Sequence, residues 1–274
     1  MKEITISMPA KINLSIDVKS RLENGYHNVE MIMQAIDLYD TVIVEKTNNR
    51  ITLNCSLPYV PKDQRNIAWK AAEQFFSHCP YKGGARITLK KKIPVAAGLG
   101  GGSSDAAGVL KALNALYDNC LKDIQLFQIA RRLGADVAFF LSGGTQLARG
   151  IGDELTMLPC LEGVDVVLVK PDFSVSTRWV YENFDPDLVE KRPDTSRLIS
   201  AIEAMDIKTL CDAQALSGRE ELLRRQLHAA CVKKLGREAV SLDGIGSVIA
   251  VRRAAKPGLP RVMLAAHMDE VGLM

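Results

Sequence analysis

No stretch of this chain is apolar for more than five residues in a row, the longest being Val137 to Leu141 and Val262 to Ala266. A membrane helix needs about 20, so none is expected. The opening Met1-Lys2-Glu3-Ile4-Thr5-Ile6 lacks the basic-then-apolar order and small-residue cleavage site of a secretory leader, which predicts a cytoplasmic protein. The six cysteines, at 55, 79, 120, 160, 211 and 231, form no C-x-x-C pair. That argues against a zinc ribbon or a dithiol centre and leaves them as ordinary reduced residues. There is no internal repeat and no low-complexity tract. With 47% hydrophobic and 24% charged residues, disordered, collagen-like and disulfide-scaffold classes are excluded. A length of 274, at about 150 residues per domain, predicts one large or two modest domains.

The net charge of +3 hides an asymmetry. Residues 1–212 carry 25 Lys and Arg against 26 Asp and Glu, whereas residues 213–274 carry 10 against 6. Lysine outnumbers arginine 15 to 10 before that point, and arginine outnumbers lysine 7 to 3 after it. The two segments read as having different histories.

Hydrophobic periodicity gives an α+β layer protein. Ile12, Leu14, Ile16 and Val18 alternate with Asn13, Ser15 and Asp17 as in a half-buried strand. Asp40 to Lys46 and Arg50 to Asn54 flank Thr47-Asn48-Asn49 and read as a hairpin. A helix is expected from about Asn66 to Ser77 and a strand from Ala85 to Lys91. From Ser104 the period lengthens, with Ala106, Val109, Leu110, Leu113 and Leu116 on one helical stripe. Asp123 reads as the cap of a further helix with Ile124, Phe127, Ala130 and Leu133 inward and Gly134 ending it. Gly143-Gly144 turns into a strand from Thr145 to Ala148. A second block starts near Leu155, with a strand from Val164 to Lys170 and a helical run from Arg197 to Leu210. The expected domains are 1–154, 155–212 and 213–274.

The most informative stretch is Pro94, Val95, Ala96, Ala97, Gly98, Leu99, Gly100, Gly101, Gly102, Ser103 and Ser104, which opens the amphipathic helix. Four glycines in five positions let backbone approach a ligand with no Cβ in the way. The helix start behind them presents unpaired N–H groups and the positive end of the dipole, and Ser103 and Ser104 add hydroxyls. The combination reads as an anion cradle, against the alternative of a flexible linker followed by a serine cap. It matches neither G-x-x-x-x-G-K-[ST] nor a clean dinucleotide fingerprint. Read without further context, Asp136 after Gly134-Ala135 is a helix cap, Lys11 a solvated strand residue, and Gly25-Tyr26-His27 a turn carrying an exposed aromatic.

This loop resembles the ATP-binding loop of the GHMP small-molecule kinases. Pro9-Ala-Lys11-Ile-Asn13-Leu, Gly25-Tyr26-His27 and Gly134-Ala-Asp136-Val-Ala-Phe-Phe extend the resemblance, in order, to about Asp212. It implies a two-domain GHMP-kinase-like α+β fold, ATP as donor and Mg²⁺ bridging its phosphates. The implied acceptor is the 2-hydroxyl of cytidine diphosphate-linked methylerythritol, in non-mevalonate isoprenoid (terpenoid) biosynthesis. Asp136 is implied as general base and Lys11 as the cation orienting it and the phosphate. Asn13, two residues on and so on the same strand face, would hold substrate or a neighbouring carboxylate. His27 would hydrogen-bond the cytosine, with Tyr26 and Tyr181 stacking on it and Trp179 competing with Tyr181. Ser104 is the candidate magnesium or phosphate ligand, and no dedicated protein metal site is expected. The partner is thus a small molecule, with no nucleic acid and no membrane; no oligomeric state follows.

The pattern breaks towards the end. Members of the family close with a glycine-rich Ser-Gly-Ser-Gly-Pro-Thr loop in a C-terminal half, and Asp243-Gly-Ile-Gly-Ser247 lacks its features. From about Ser217 the chain resembles instead the start of the di-zinc glutamyl-type aminopeptidases, most closely in Val262-Met-Leu-Ala-Ala-His267-Met-Asp269. A catalytic zinc needs at least three protein ligands, and His27, His78 and His228 fall at no helpful spacing. The expectation is a kinase whose C-terminal domain is incomplete or replaced, with the strands 248–251 and 262–266 pairing with each other. A catalytically impaired nucleotide-binding hybrid and a metallopeptidase fragment are the alternatives.

Overall fold

Two long strands organise the fold. β1 (Glu3–Arg21) and β2 (His27–Thr47) run antiparallel along their whole length. The computed structural model describes residues 2–23, 25–164, 166–168 and 192–212, with the short pieces 232–233, 237, 240–242, 248–250 and 263–264. Within them, β3 (Ile51–Cys55), β4 (Gly84–Lys90), β5 (Thr145–Arg149) and β6 (Glu154–Leu158) complete a six-stranded sheet, continuous through Leu158. The second edge of β2 is shared. β5 pairs with Met31 to Gln34 and β4 with Thr41 to Thr47, and the functional groups gather at the interval between.

The expected hairpin of β2 and β3 does not form, because β4 lies between them, antiparallel to β2 and parallel to β3. Gly84 makes the insertion possible: a Cβ there would lie 2.3 Å from the Arg50 backbone and 2.6 Å from Thr47 Oγ1. Nor is β1 half-buried. Asn13, Ser15 and Asp17 are as inaccessible as Ile12 and Ile16. The β1–β2 register shifts at Pro9/Ala10 and again at Asn13/Ser15. Met8, Ile16 and Val18 join the core beneath the helices, whereas Ile12, of the same sequence parity, packs with Ala10, Ile93 and Leu99. The irregularities thus invert residues 10–14 relative to the strand around them.

Four helices cover the sheet through one core that includes Met8, Val42, Phe75, Ile87, Val109 and Phe139. α1 (Ile67–His78) starts at Asn66, whose Oδ1 accepts the Ala68 N–H at 2.9 Å. α2 (Gly101–Leu116) buries the whole expected stripe but begins three residues earlier than expected, inside the glycine run. In α3 (Asp123–Leu133) the cap position is Lys122, and Asp123 lies in the first turn. Ile124 is 63% exposed. At about 100° per residue, Leu126, Ile129, Ala130 and Leu133 occupy one side of the helix and Ile124 the opposite one. α4 (Ala135–Ser142) follows at once.

In the second block, the strand expected over 164–170 is described only as β7 (Val166–Val167). The helical run is two helices, α5 (Thr195–Glu203) and α6 (Ile207–Asp212), divided where Met205 takes φ +52°. Leu198 and Ile202 of α5 pack on Ile32 and Leu147 of the sheet. Arg192 donates to Asp17 Oδ1 at 2.6 Å and to the Val18 carbonyl at 3.1 Å, which ties the block to β1. Among the described residues the two expected C-terminal strands pair elsewhere: β9 (Val248–Ala250) with β8 (Val240–Leu242), and β10 (Met263–Leu264), in parallel, with β7. No helix among the described residues is long and apolar enough to cross a membrane.

Candidate active site

The glycine run walls a cavity of about 520 Å³ lined by residues 94–103 together with Val60, Pro61, Asn66, Ile67, Lys91, Asp105 and Asp136. Gly98 and Gly100 take φ of +69° and +68°, a region closed to most side chains. Gly100 is also the residue preceding α2, and a Cβ on it would sit 2.7 Å from the Phe140 ring. Ala96, at φ +53°, holds the same left-handed region without glycine's freedom, a strain typical of ligand sites. No side chain caps α2, so its first N–H groups are left for an anion.

Behind Gly100 lies Lys11. It is fully buried, and its backbone N–H donates to the Leu99 carbonyl at 3.0 Å, which fastens β1 to the loop. The inverted segment of β1 aims its ammonium at Asn13 Oδ1, 3.0 Å away, and towards Asp136 Oδ2 at 3.9 Å. Burial lowers the Lys11 pKa, and the Asp136 charge partly restores it. Asp136 occupies the first turn of α4 and is 8% exposed. Its second oxygen, Oδ1, has no hydrogen-bond partner and belongs to a residue of the cavity wall. Lys11, Asn13, Asp136 and the glycine loop, separated by up to 125 positions, therefore meet at one place.

Ser103 lines the cavity and Ser104 does not. The Ser104 hydroxyl is buried and donates to the Pro9 carbonyl at 2.5 Å, so it joins α2 to β1, and the phosphate or magnesium role expected of it is corrected to a structural one. Tyr26 sits in the turn between β1 and β2 and His27 opens β2, both outside this cavity. Gly25 takes φ +86° there, Tyr26 is 61% exposed and His27 is 5% exposed. Burial, with the nearby Arg21 charge, lowers the His27 pKa. Tyr181, Trp179, His228, His267 and Asp269 lie outside the described residues.

Three charged residues escaped the reading of the sequence. Lys91 bridges Asp40 and Asp105, with Asp105 Oδ2 2.5 Å from its ammonium. Asp40 Oδ1 accepts the N–H groups of Lys92 and Ile93 at 2.5 and 2.9 Å. Burial pushes the Asp105 carboxyl up to about 7, opposed by Lys91 and reinforced by Asp40. The only sequence signals are a Lys90-Lys91-Lys92 run just before Pro94, an acid immediately after the two serines, and an acid heading a β-branched strand. Asn66 is a further wall residue, holding Pro61 by donating to its carbonyl at 2.8 Å.

Residues 66–144 match the model of the GHMP kinases N terminal domain. The 4-diphosphocytidyl-2-C-methyl-D-erythritol kinase of Acetivibrio thermocellus is 42% identical over 249 residues, 91% of this chain and 87% of the relative. The chain belongs to the 4-diphosphocytidyl-2-C-methyl-D-erythritol kinase family of GHMP kinases. A family member from Clostridium botulinum (strain Eklund 17B) is 48% identical over 204 residues, 74% of this chain and 73% of its own. Another, from the Loch Maree strain, is 43% identical over 94% of this chain, so the kinase match runs past residue 212, further than the motifs carried it. A crystal structure of 4-(cytidine 5'-diphospho)-2C-methyl-D-erythritol kinase superposes with a TM-score of 0.64 at 32% identity, over 89% of this chain and 88% of that one. The homoserine kinase of Cytophaga hutchinsonii, at 20% identity and a TM-score of 0.58, shares the fold. In this family the donor is ATP, and the α+β GHMP-kinase fold expected from the sequence is the one observed.

Proposed function

We infer that this chain transfers the γ-phosphoryl group of ATP to the 2-hydroxyl of 4-diphosphocytidyl-2-C-methyl-D-erythritol, a step of isoprenoid biosynthesis. The observation that carries the reading is one cavity lined by Asp136 and the glycine loop, with the buried Lys11 ammonium 3.9 Å from Asp136, in a chain 42% identical to a kinase of that name. Phosphoryl transfer asks the protein for placement and charge neutralisation above all. The loop and the start of α2 receive the phosphates, with Ser103 beside them. Asp136, a cavity-wall residue whose Oδ1 has no hydrogen-bond partner among the described residues, takes the proton of the acceptor hydroxyl as that hydroxyl's oxygen attacks the γ-phosphorus and ADP leaves. Lys11, fixed by Asn13, holds Asp136 in place and offsets charge on the transferring group.

Mg²⁺ fits this site as an ion carried on the nucleotide. Magnesium of this kind is held largely by phosphate oxygens and water. When bound, it neutralises charge on the phosphates. The turn carrying Tyr26 and His27 is assigned to the cytosine of the acceptor, with Tyr181 as a second stacking ring.

For the domains we propose 1–154 as the ATP-binding part, 155–212 as part of the acceptor half, and 213–274 as a tail similar to the start of a glutamyl-type aminopeptidase, into the first part of which the similarity to kinase relatives still extends. The charge asymmetry of the chain and the missing Ser-Gly-Ser-Gly-Pro-Thr loop support setting the tail apart. The test is ADP release by the full chain with Mg²⁺, ATP and the purified acceptor, with phosphorus NMR to place the new phosphate. Acceptor-dependent turnover is expected. Retained ATP binding with no turnover would leave a nucleotide-binding hybrid in place of an enzyme.

A further inference from the structure

A lysine in the wall of an ATP cavity is ordinarily taken for a phosphate ligand, and the surroundings of Lys91 point elsewhere. It stands one residue beyond β4, where the β2–β4 ladder ends at the pair Thr41 and Lys90. Its ammonium reaches back to Asp40 on β2 and forward to Asp105 on the first helical turns of α2, and both contacts are buried. The other oxygen of Asp40 takes over the ladder's work, accepting the N–H groups of Lys92 and Ile93. A Cβ on Gly101 would lie 3.0 Å from Ile93 and 3.3 Å from the Lys91 ammonium, so the two stems of the loop touch at this point. Everything between them, residues 93 to 104, is the glycine loop.

Charge decides how Lys91 is used. One ammonium faces two carboxylates, so its positive charge is already matched inside the protein. Although burial opposes it, the two acids hold the Lys91 pKa above lysine's ordinary value. A cation so engaged has little left for a phosphate. Attraction for the nucleotide is left to the backbone N–H groups of the loop and to the α2 dipole, which act only while the loop keeps its shape.

We propose that Asp40, Lys91 and Asp105 form a clamp fixing the separation of the two stems of the glycine loop, with Lys91 a positioning residue and not a ligand of the nucleotide's phosphates. This rests on reading the cavity as the ATP site and adds what keeps it shaped before ATP arrives.

Affinity for Mg²⁺-ATP without acceptor, together with amide hydrogen exchange over residues 92–104, tests the clamp. Lys91→Met should weaken ATP about tenfold and Asp105→Ala a few-fold, each speeding exchange in the loop while the β2–β4 ladder exchanges as before. Asp105→Asn, which keeps a polar partner for Lys91 but not its charge, should fall between the wild type and Asp105→Ala in both readouts. Tighter ATP binding by Asp105→Ala would overturn the proposal, since it would mean that Lys91, once released, binds phosphate. So would exchange that rises evenly across the domain. If the wild type binds ATP but leaves the acceptor untouched, the proposed reaction fails while affinity and exchange still judge the clamp. If it binds no ATP, both fall.

Discussion

Two buried lysines, Lys91 in the cavity wall and Lys11 behind it, stand in opposite charge environments. Lys11, on the inverted segment of β1, has the carboxylate of Asp136 3.9 Å away, and burial lowers its pKa. Lys91, at the foot of the loop, is gripped by two carboxylates that raise its pKa. A charge matched at contact distance stabilises geometry, whereas one held at a looser distance from its partner remains able to respond to charge that develops during reaction. The region around Lys91 is therefore assigned to shape and the region around Lys11 to chemistry.

Breaking the chemical side should produce the largest effect. Asp136→Asn removes the proposed proton acceptor beside Lys11, and kcat should drop by roughly a thousandfold, within the usual range for losing a general base, at nearly unchanged ATP affinity. Steady-state kinetics paired with nucleotide titration checks this. Lys11→Met should lower kcat by about a hundredfold through loss of the cation that orients Asp136. An equal loss in ATP affinity would instead place Lys11 with the shape-keeping group.

On the other side, Gly100→Ala introduces a Cβ against Phe140 at a residue with φ +68°. That should cost about 1–3 kcal/mol, read as a lower melting temperature and a raised KM for ATP, with kcat reduced less. Smallest of all is a pH effect. Because the Asp105 carboxyl is raised to about 7 in the fold from an ordinary value near 3.8, folding favours its protonated form. Its contribution to stability is complete below that ordinary value and is lost as pH rises towards 7. Lys91 and Asp40 face it throughout this window. Asp105→Asn should flatten the melting temperature between about pH 4 and 7, and an unchanged slope would show that Asp105 shares its neighbours' charge differently.

The glycine loop was legible because its requirements are local. Positive φ at Gly98 and Gly100 and an uncapped helix start are matters of residues adjacent in sequence. The α2 stripe, the helix start near Asn66 and the stop at Gly134 were legible for the same reason. Ile124 was misread because a spacing of three drifts around a helix, and the β2–β3 hairpin because nothing near Thr47 announces that Gly84, 37 residues further on, will open room for another strand. Ser104 looked like a ligand in a serine pair, and only its bond to Pro9 turned it inward.

The sequence by itself pointed to the kind of ligand: glycines at such spacing before an amphipathic helix are suited to an anion. It also placed Lys11, Asn13 and Asp136 as candidates through their motifs. Tertiary structure alone decided that they meet. A strand's alternation fixes which face a residue takes only while the register holds, and two irregularities in β1 reverse it over residues 10–14, aiming Lys11 at α4. The Asp40–Lys91–Asp105 clamp has the same origin. Its members lie on β2, after β4 and on α2, and their charges become neighbours only when the sheet and the helix close over the cavity.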